Sequence, residues 1–389
     1  MIDHNFWTRF EPELIRIRRH LHAHPELRHE ESQTAQYVGD RLTEWGIHVE
    51  RGIGGHGVVG VLRHGRGTRS IGLRADMDAL PMQERNVFEH ASQHAGKMHA
   101  CGHDGHTAML LGAAHYLSQH RHFDGTVNFI FQPAEEGGAG ARLMIEDGLF
   151  ERCPMDAVFG MHNWPGIAAG RFALRPDAIM ASSNLFHAKV TGQGSHAAQP
   201  HKSADPLIAA VQLVQSWQAI VSRNVPPTAP AVLSVAQLHA GTADNVIARD
   251  ASISGTVRAF SLDVLDLVER RMQEVANGIA LACGVKIDFQ FKRMYPPLVN
   301  HDEETRFVTG LLQTVFGADN VDAQVPPQTP SEDFAFYMQY RPGCFVFIGN
   351  GDIDARPLHS EDYDFNDAVM KRGVDYWVSL ARAWLARAI

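Results

Sequence analysis

The stretch "GTVNFIFQPAEEGGAGARLMIEDGLFERCPMDAVFGMH", residues 125–162, decides the fold. It begins with an apolar run over 125–132 that Pro133 ends, and it closes with a second apolar run over 156–162. Short apolar runs of this kind indicate buried strands, and the pattern over 140–150 between them is typical of a helix. Strand, helix and strand in this order predict a sheet layer covered by helices, as in doubly wound α/β proteins.

The sequence on both sides continues this alternation. The predicted strands lie at 57–63 and 69–81, and the predicted helices lie near Pro12–His22, over Glu30–Trp45 and over 105–120. Asp104 is a suitable N-cap for the third of these helices. Apolar and amphipathic segments of the same kind return after residue 293, so both ends of the chain are expected to form one doubly wound α/β domain.

The order of elements changes between residues 181 and 292. The apolar patterns predict strand, helix, strand, strand, helix and strand at 184–192, 204–223, 231–240, 251–260, 262–284 and 285–291. This βαββαβ order is that of the ferredoxin-like fold. We therefore predict a catalytic α/β domain formed by residues 1–180 and 293–389, and an inserted ferredoxin-like domain formed by residues 181–292.

Composition excludes some classes of partner. The 389 residues carry a formal net charge of -9 and contain no basic stripe, which argues against a nucleic-acid partner. No stretch approaches the roughly 18 unbroken apolar residues of a membrane span, and the amphipathic beginning lacks the features of a signal peptide. The cysteines, Cys101, Cys153, Cys283 and Cys344, show no tight pairing. We expect a cytoplasmic protein that binds neither nucleic acid nor membrane.

Two polar clusters carry ligand-type side chains. The segment "HACGHDGH" (99–106) places Cys101 and His103 two residues apart, so that both can face one point. The segment "QPAEEGG" (132–138) places Glu135 and Glu136 at the end of a buried strand, where one carboxylate can bind a metal while the other moves protons. Taken alone, each cluster is also consistent with a solvated surface loop.

Further candidate ligands follow other predicted strands. His162 comes at the end of the run over 156–162, and His359 lies in "PLHSED", although a single histidine in such a place is usually only hydrogen-bonded. Asp76 and Asp78 share one side of the extended "ADMD" and could orient metal ligands or cap a turn. One cysteine, one glutamate and three histidines form a ligand set for Zn, Mn, Co or Ni. Five ligands exceed the four of a tetrahedral zinc, so we favour two neighbouring divalent ions.

Together these segments resemble the M20 superfamily of metallopeptidases and amidohydrolases. They are most similar to its subfamily D, which contains hippurate hydrolases, N-acyl-amino-acid amidohydrolases and auxin-conjugate hydrolases. The resemblance runs nearly from end to end, through "RRHLHAHPEL" with "ESQTA", "RADMDALPM", "HACGHDGHTAMLLGAA", "FIFQPAEEGGAGARLMIEDG", "GMHNWPG", "GSHAAQPH", "DNVIA", "GTVRAF", "SEDFAFY" and "PLHSEDYDF". So many motifs in one order are far more specific than any one of them.

The resemblance implies a binuclear metal site in the α/β domain. The positions that match the family's metal ligands are Cys101, His103, Glu136, His162 and His359. Glu135 matches its general base, which deprotonates the attacking water and later protonates the leaving amine, and Asp78 matches an aspartate that supports a ligand. His99 and His106 are interpreted as supporting or structural residues.

The resemblance also assigns residues of the inserted domain. His196 matches a histidine that stabilises the developing oxyanion, commonly from the partner subunit. Asn245 and Arg258 match residues that contact the substrate, and a guanidinium suits a substrate carboxylate. The likeness further implies a homodimer or homotetramer in which the inserted domain serves as lid and dimerisation domain.

The sequence therefore predicts a metal-dependent amidohydrolase that cleaves N-acyl amino acids to a carboxylic acid and a free amino acid. The alternatives are a dipeptidase or an N-acetyl-diamino-acid deacetylase of the same superfamily, and a non-catalytic metal-binding protein on this fold. A serine or cysteine hydrolase is disfavoured, because the chain has no G-x-S-x-G elbow and because Cys101 would have to be a nucleophile instead of a ligand. The sequence departs from the family at Asn184, where an aspartate is expected, and this change concerns the substrate pocket and no predicted ligand.

Overall fold

The computed structural model describes residues 1–387, so residues 388–389 of the predicted catalytic domain lie outside the described residues. The chain divides into two compact units. The first contains Met1–Ile179, Val299–Pro326 and the residues from Asp333 onward, and the second contains Met180–Leu298 and Pro327–Glu332. The second unit extends past the predicted end at residue 292, because its last strand continues to Tyr295.

The helices and strands follow in chain order. Up to Met180 the chain forms α1 (His4–Ala23), α2 (Ser32–Glu44), β1 (His48–Ile53), β2 (Gly57–His64), β3 (Ser70–Asp76), α3 (His103–Gln119), β4 (Gly125–Gln132), α4 (Glu135–Gly138), α5 (Gly140–Glu146), α6 (Leu149–Arg152), β5 (Ala157–Pro165), β6 (Phe172–Ala173) and β7 (Asp177–Met180). The next stretch forms β8 (Ser183–Thr191), β9 (Ser195–His196), α7 (Pro206–Arg223), β10 (Ala231–Ala240), β11 (Val246–Ile247), β12 (Asp250–Ala259), α8 (Leu262–Cys283) and β13 (Lys286–Tyr295). The remainder forms β14 (Leu298–Asn300), α9 (Asp302–Phe316), β15 (Val321–Asp322), α10 (Ala335–Met338), β16 (Gly343–Gly351) and α11 (Met370–Leu385).

The first unit is built on an eight-stranded sheet in the order β1-β2-β4-β3-β5-β16-β6-β15. Strand β3 pairs in parallel with β4 and β5, and β5 pairs in parallel with β16, which confirms the doubly wound α/β prediction. Strand β1 pairs antiparallel with β2 and was not predicted, because half of its residues are exposed and its sequence has no apolar run. The parallel strands end at one edge, and this edge carries the polar loops.

Helix packing joins the first residues of the first unit to its helices α3 and α11. Helix α3 is buried over nearly its whole length, and α1 and α11 contribute apolar side chains to the same core. The Ile2 amide donates to the Asp375 carboxylate of α11 at 2.6 Å, and the Asp3 amide contacts the Tyr116 hydroxyl of α3 at 3.3 Å. The beginning of the chain is therefore held by a helix near its end.

Two local details in this unit differ from the predictions. The helix predicted near Pro12–His22 is present, but α1 begins earlier, at His4, where Asp3 caps it by accepting from the Phe6 amide at 3.0 Å. The N-cap of α3 is Gly102 in the left-handed region, and Asp104 lies inside the first turn. The carboxylate of Asp104 bonds instead to the His22 ring, so a tertiary contact replaces the predicted cap.

The second unit contains a four-stranded antiparallel sheet in the order β10-β12-β8-β13, with α7 and α8 packed on it. In chain order these are strands two, three, one and four, which is the arrangement of the ferredoxin-like fold. Trp217 of α7 is fully buried and donates from its indole to the Met272 carbonyl of α8 at 3.1 Å. The roles of lid and dimerisation domain, and the homodimer or homotetramer, stay predictions.

None of the helices within residues 1–387 combines the length and the apolar character that crossing a membrane requires.

A buried ionic network joins α1 to the start of α3. His22 bonds through Nδ1 to Asp104 at 2.8 Å and through Nε2 to Glu84 at 3.1 Å. Burial alone would lower the pKa of His22, but Asp104 and Glu84 outweigh it and raise the pKa to about 9. Arg18 also binds Asp104, at 3.5 Å.

The network predicts a pH-dependent stability. Because the folded pKa of His22 lies above the unfolded value of roughly 6.5, its contribution is complete below that pH and is lost as pH rises through about 9. Urea unfolding of His22→Gln should show a deficit of roughly 3 kcal/mol near pH 6 that shrinks towards pH 10. Exposed His48→Gln is the control and should show no such trend, and a deficit for His22→Gln that does not change with pH would contradict the assignment.

Candidate metal centre

The carboxyl edge of the parallel sheet gathers the predicted ligands. Strand β3 ends at Asp76, the Glu135–Glu136 pair follows β4, and His162 lies within β5. Cys101 and His103 precede or begin α3, and His359 lies in the segment after β16. Neighbouring parallel strands deliver their following loops to one edge, which explains why residues far apart in sequence meet here.

The ligand atoms approach one another closely. Each of three groups has its possible ligand atoms within 4.8 Å of one another: Cys101, Glu136 and His359; His103, Glu135 and Glu136; and Asp76, His103, His106 and His162. Two further contacts link them: Cys101 Sγ lies 3.4 Å from His162 Nε2, and Glu136 Oε1 lies 3.1 Å from His359 Nε2. The structure therefore brings together all five predicted ligands and Glu135.

Hydrogen bonds orient two of the histidine rings so that Nε2 of each is available to bind a metal. His103 donates from Nδ1 to the Asp78 carbonyl at 2.8 Å, and His162 donates from Nδ1 to the Asn163 carbonyl at 2.6 Å. When such a ring is neutral, donation from Nδ1 places its lone pair on Nε2. His103 Nε2 is buried and has no hydrogen-bond partner among residues 1–387. An unpartnered nitrogen that lies among the carboxylates of Asp76, Glu135 and Glu136 fits a divalent cation.

The electrostatics of the cluster also favour a cation. Burial raises the pKa of the Cys101 thiol well above its ordinary value, and Glu136 and Glu135 raise it further. Burial alone would lower the pKa of His103, but Asp76 and Asp78 raise it to about 10. Burial, with His106 nearby, keeps the pKa of His162 well below its ordinary value, so this ring is neutral. Positive charge is stabilised at the centre, and a metal would supply it.

Asp78 supports both halves of the cluster. Its carboxylate accepts the Glu135 amide at 3.0 Å and the Glu136 amide at 2.9 Å, while its carbonyl accepts from His103. The turn that carries the two glutamates begins at Ala134, which has a left-handed backbone with φ 54°. Asp78 therefore fixes the turn of the glutamate pair and the orientation of the His103 ring.

His359 occupies a strained backbone position. Its φ is +62°, a left-handed value that is uncommon for a residue other than glycine. Its amide donates to the Ala100 carbonyl at 2.8 Å, which ties it to the Cys101 loop. Strain of this kind is retained where the surrounding structure determines it, often at functional sites.

His106 is placed as a supporting residue. It donates from Nδ1 to Asp76 at 2.6 Å, and its Nε2 accepts the Asn163 amide at 2.9 Å, so both ring nitrogens have protein partners. Asp76 is held in turn by Arg74 at 2.7 Å. His99 is buried, and burial lowers its pKa to about 4. Neither ring nitrogen of His99 has a hydrogen-bond partner within the described chain, so its supporting role stays an interpretation.

Asn163 is a residue that the sequence analysis missed. It is fully buried, and besides its bonds to His106 and His162 it donates from Nδ2 to the Cys101 carbonyl at 2.7 Å. Its Oδ1 accepts the Tyr363 hydroxyl at 2.7 Å. Asn163 therefore joins the Cys101 loop to the strand that carries His162. Its only signal in the sequence was its place beside His162.

Gly102 is required by this arrangement. It has a φ of +84°, and a Cβ built on it would lie 2.3 Å from the Asn163 amide nitrogen and 2.6 Å from the Tyr363 hydroxyl. No side chain fits there without moving both partners.

The second unit holds the other predicted site residues. His196 and Asn245 line one open pocket of about 710 Å³. His196 lies on β9, which pairs with β11, the strand that follows Asn245. His196 Nδ1 accepts the Ala198 amide at 3.1 Å, which leaves the proton on Nε2. Arg258 is half-buried in β12 and donates to the Ser183 hydroxyl at 2.8 Å. No ion pair involves Arg258 within residues 1–387.

The chain is similar to known proteins over most of its length. Residues 72–383 match the peptidase family M20/M25/M40. A hippurate hydrolase from Campylobacter jejuni is 42% identical over 374 residues, which cover 96% of this chain and 97% of that protein. An N-acetyl-L-cysteine deacetylase from Bacillus subtilis is 42% identical over 347 residues, covering 88% of this chain and 82% of that protein.

A solved structure agrees with these matches. The crystal structure of the Bacillus subtilis YXEP protein, described as a dinuclear metal-binding peptidase of family M20, superposes with a TM-score of 0.86 at 32% identity. The match covers 98% of this chain and 99% of that chain.

The contacts of Asn163 predict a role in metal retention. Asn163→Ala should weaken metal binding by roughly 10- to 100-fold, because the Cys101 and His162 segments lose their shared partner. Metal affinity would be measured by competition with a chromogenic chelator.

Asn300 offers a matched control for this variant. It is also buried, and it bonds to Phe345 and Arg175 away from the cluster. Asn300→Ala should lower stability but leave the affinity for metal unchanged. Equal losses of affinity in the two variants would contradict a specific role for Asn163.

Proposed function

This chain belongs to the peptidase family M20/M25/M40, and from that premise we propose that it hydrolyses the amide bond of N-acyl amino acids. The products are a carboxylic acid and a free amino acid. The observation that carries the proposal is the position of Glu135, whose carboxylate lies within 4.8 Å of ligand atoms of His103 and Glu136. A hippurate hydrolase and an N-acetyl-L-cysteine deacetylase among the relatives support this substrate class.

Cys101, His103, Glu136, His162 and His359 would hold two divalent ions, taken from Mn, Zn, Co or Ni. Ions bound there would lower the pKa of water and polarise the substrate carbonyl. The neutral ring of His162 and the acidic groups described above are donors that such ions prefer, and a bound ion would take the place of the second proton on His103.

Glu135 would act as the general base. It is buried, and its Oε1 accepts the Asp333 amide at 3.2 Å, which helps to orient the carboxylate. Glu135 takes a proton from the attacking water, whose oxygen bonds to the carbonyl carbon. It then returns this proton to the nitrogen as the carbon–nitrogen bond breaks. Asp78 maintains the direction of Glu135 through the amides of the turn.

The second unit would supply contacts to the substrate. With its proton on Nε2, His196 is suited to donate a hydrogen bond to the developing oxyanion. The half-buried guanidinium of Arg258 has a neutral hydroxyl as its partner and is suited to bind the substrate carboxylate. Asn245, which lines the same pocket as His196, would contact the substrate as well.

Metal removal and substrate profiling test the proposal. Protein stripped by a chelator should lose activity, and separate resupply of Mn, Zn, Co and Ni should restore release of free amino acid from benzoylglycine or acetylated amino acids. Dipeptides and N-acetylated diamino acids belong in the same panel. If the protein hydrolyses dipeptides or N-acetylated diamino acids faster than every other N-acyl amino acid, the proposed substrate class is wrong and the preferred one takes its place.

Replacing Glu135 tests the mechanism. Glu135→Gln should lower kcat by roughly 100- to 10,000-fold, because the amide cannot take the proton. Its metal content, measured by plasma mass spectrometry, should stay at the wild-type value. Exposed Glu146→Gln on α5 is the control and should keep full activity. Full activity of Glu135→Gln would exclude it as the base.

Replacing His196 tests the contribution of the second unit. His196→Ala should lower kcat by roughly 100- to 1,000-fold, as expected for loss of one oxyanion donor, while metal content is retained. His201→Ala, on the same exposed loop, should retain activity. An unchanged kcat in His196→Ala would remove it from the catalytic residues.

A further inference from the structure

Three consecutive amides donate to carboxylates in the turn at 134–139, which is named the catalytic turn because it carries Glu135. The Glu135 and Glu136 amides bond to Asp78, as described above. The preceding amide, of Ala134, donates to Glu31 Oε1 at 2.7 Å. Two acidic side chains from distant parts of the sequence therefore hold the backbone that carries the general base.

The backbone of this turn needs such support. Ala134 has φ 54° and ψ 42°, and Ala139 has φ 56° and ψ 43°. Both values lie in the left-handed region, which an alanine disfavours because of its Cβ. Residues keep such conformations only where their surroundings impose them. The direction of Glu135 depends on the conformation of Ala134 just before it.

Helix capping does not account for Glu31. It stands at the N-cap of α2, yet its side chain makes no capping bond to that helix. Glu26 binds the first turn instead, since its carboxylate accepts the Thr34 amide at 2.8 Å and the Gln33 amide at 3.2 Å. Glu31 is therefore directed away from the helix that it precedes.

The position of Glu31 is also unfavourable for a carboxylate. It is fully buried, and burial together with the neighbouring Asp78 raises its pKa to about 7. A buried acid next to another acid costs stability unless its hydrogen bonds compensate. The hydrogen bond from the Ala134 amide helps to compensate this cost, and it connects Glu31 to the candidate site.

The same segment holds the other end of the turn. Arg28 donates from its guanidinium to the Glu136 carbonyl at 2.5 Å. Arg28 directly follows the motif "HPEL", and Glu31 is the first residue of "ESQTA"; both residues lie before residue 72, where the family match begins. Residues 28–31 thus contact the turn on both sides of the glutamate pair.

We propose that Glu31 is a positioning residue of the catalytic turn, which holds Ala134 in its left-handed conformation and so directs Glu135 towards the attacking water. This inference rests on the proposed function of Glu135. Glu31 itself touches neither substrate nor metal in this proposal.

Two conservative variants of Glu31 distinguish the effect of its side-chain length from the effect of its negative charge. Glu31→Gln keeps an oxygen that can accept the Ala134 amide, so kcat should stay within about threefold of wild type. Glu31→Asp keeps the charge but is one methylene shorter, so it loses the bond, and kcat should fall by roughly 10- to 100-fold with little change in KM. Metal content is measured for both. Loss of activity in Glu31→Gln with retention in Glu31→Asp would overturn the proposal.

Glu26→Asp is the matched control, because it shortens a second buried glutamate of the same segment. It should lower the melting temperature through loss of the α2 cap and leave kcat unchanged. An equal loss of kcat in Glu26→Asp would show that the segment acts only through general stability.

A structural readout is independent of activity. In a crystal structure of metal-free Glu31→Asp, Ala134 should leave the left-handed region, whereas in Glu31→Gln it should remain there. Adding Ala134→Gly to Glu31→Asp should restore part of kcat, because glycine adopts this conformation freely. A native turn in Glu31→Asp, or no gain from the glycine, would contradict the proposal.

The outcomes distinguish this inference from the proposed function. If Glu135→Gln is inactive while Glu31→Asp has wild-type kcat, only the role of Glu31 fails. If Glu135→Gln is fully active, the proposed mechanism fails and the inference about Glu31 fails with it.

Discussion

Buried negative charge at the carboxyl edge of one sheet is the constraint on which the centre depends. Asp76, Asp78, Glu135 and Glu136 converge there with the thiol of Cys101. Acids removed from water at such short distances destabilise one another unless cations and hydrogen bonds compensate. The surrounding residues are arranged to provide both: a buried arginine, backbone amides directed at carboxylates, and histidines with fixed tautomers.

The regular elements could largely be predicted because they follow from local periodicity. The strand at 231–240 has the predicted bounds, and the helix predicted over 262–284 begins at Leu262 and ends at Cys283, since apolar periodicity and the N-cap residue Ser261 are encoded nearby. Strand β1 was missed because an exposed edge strand has no apolar run. The capping role given to Asp104 was wrong because His22, 82 residues away, is its partner. Local patterns do not contain such distant partners.

The same distinction holds within the candidate site. Metal ligands have recognisable side chains and lie in motifs, so the sequence could nominate Cys101 and His103. The residues that orient them act through ordinary amides and carboxylates. Asn163 and Glu31 contact the Cys101 loop and the catalytic turn only after the sheet has brought distant segments together. Their chemistry is common, and only their place in three dimensions distinguishes them.

The attachment of the first residues to α11 has a consequence for the order in which the chain folds. The first unit combines three separate segments, whereas the second comes almost entirely from one continuous stretch, Met180–Leu298. During synthesis the second unit can complete its four-stranded sheet while β16 and α11 are still missing from the first. The first unit then closes through contacts of very long sequence separation, such as Ile2 with Asp375, and contacts of this kind form slowly. A nascent chain therefore exposes an unfinished eight-stranded sheet until β16 and α11 emerge, and unpaired strand edges of this kind are prone to aggregate.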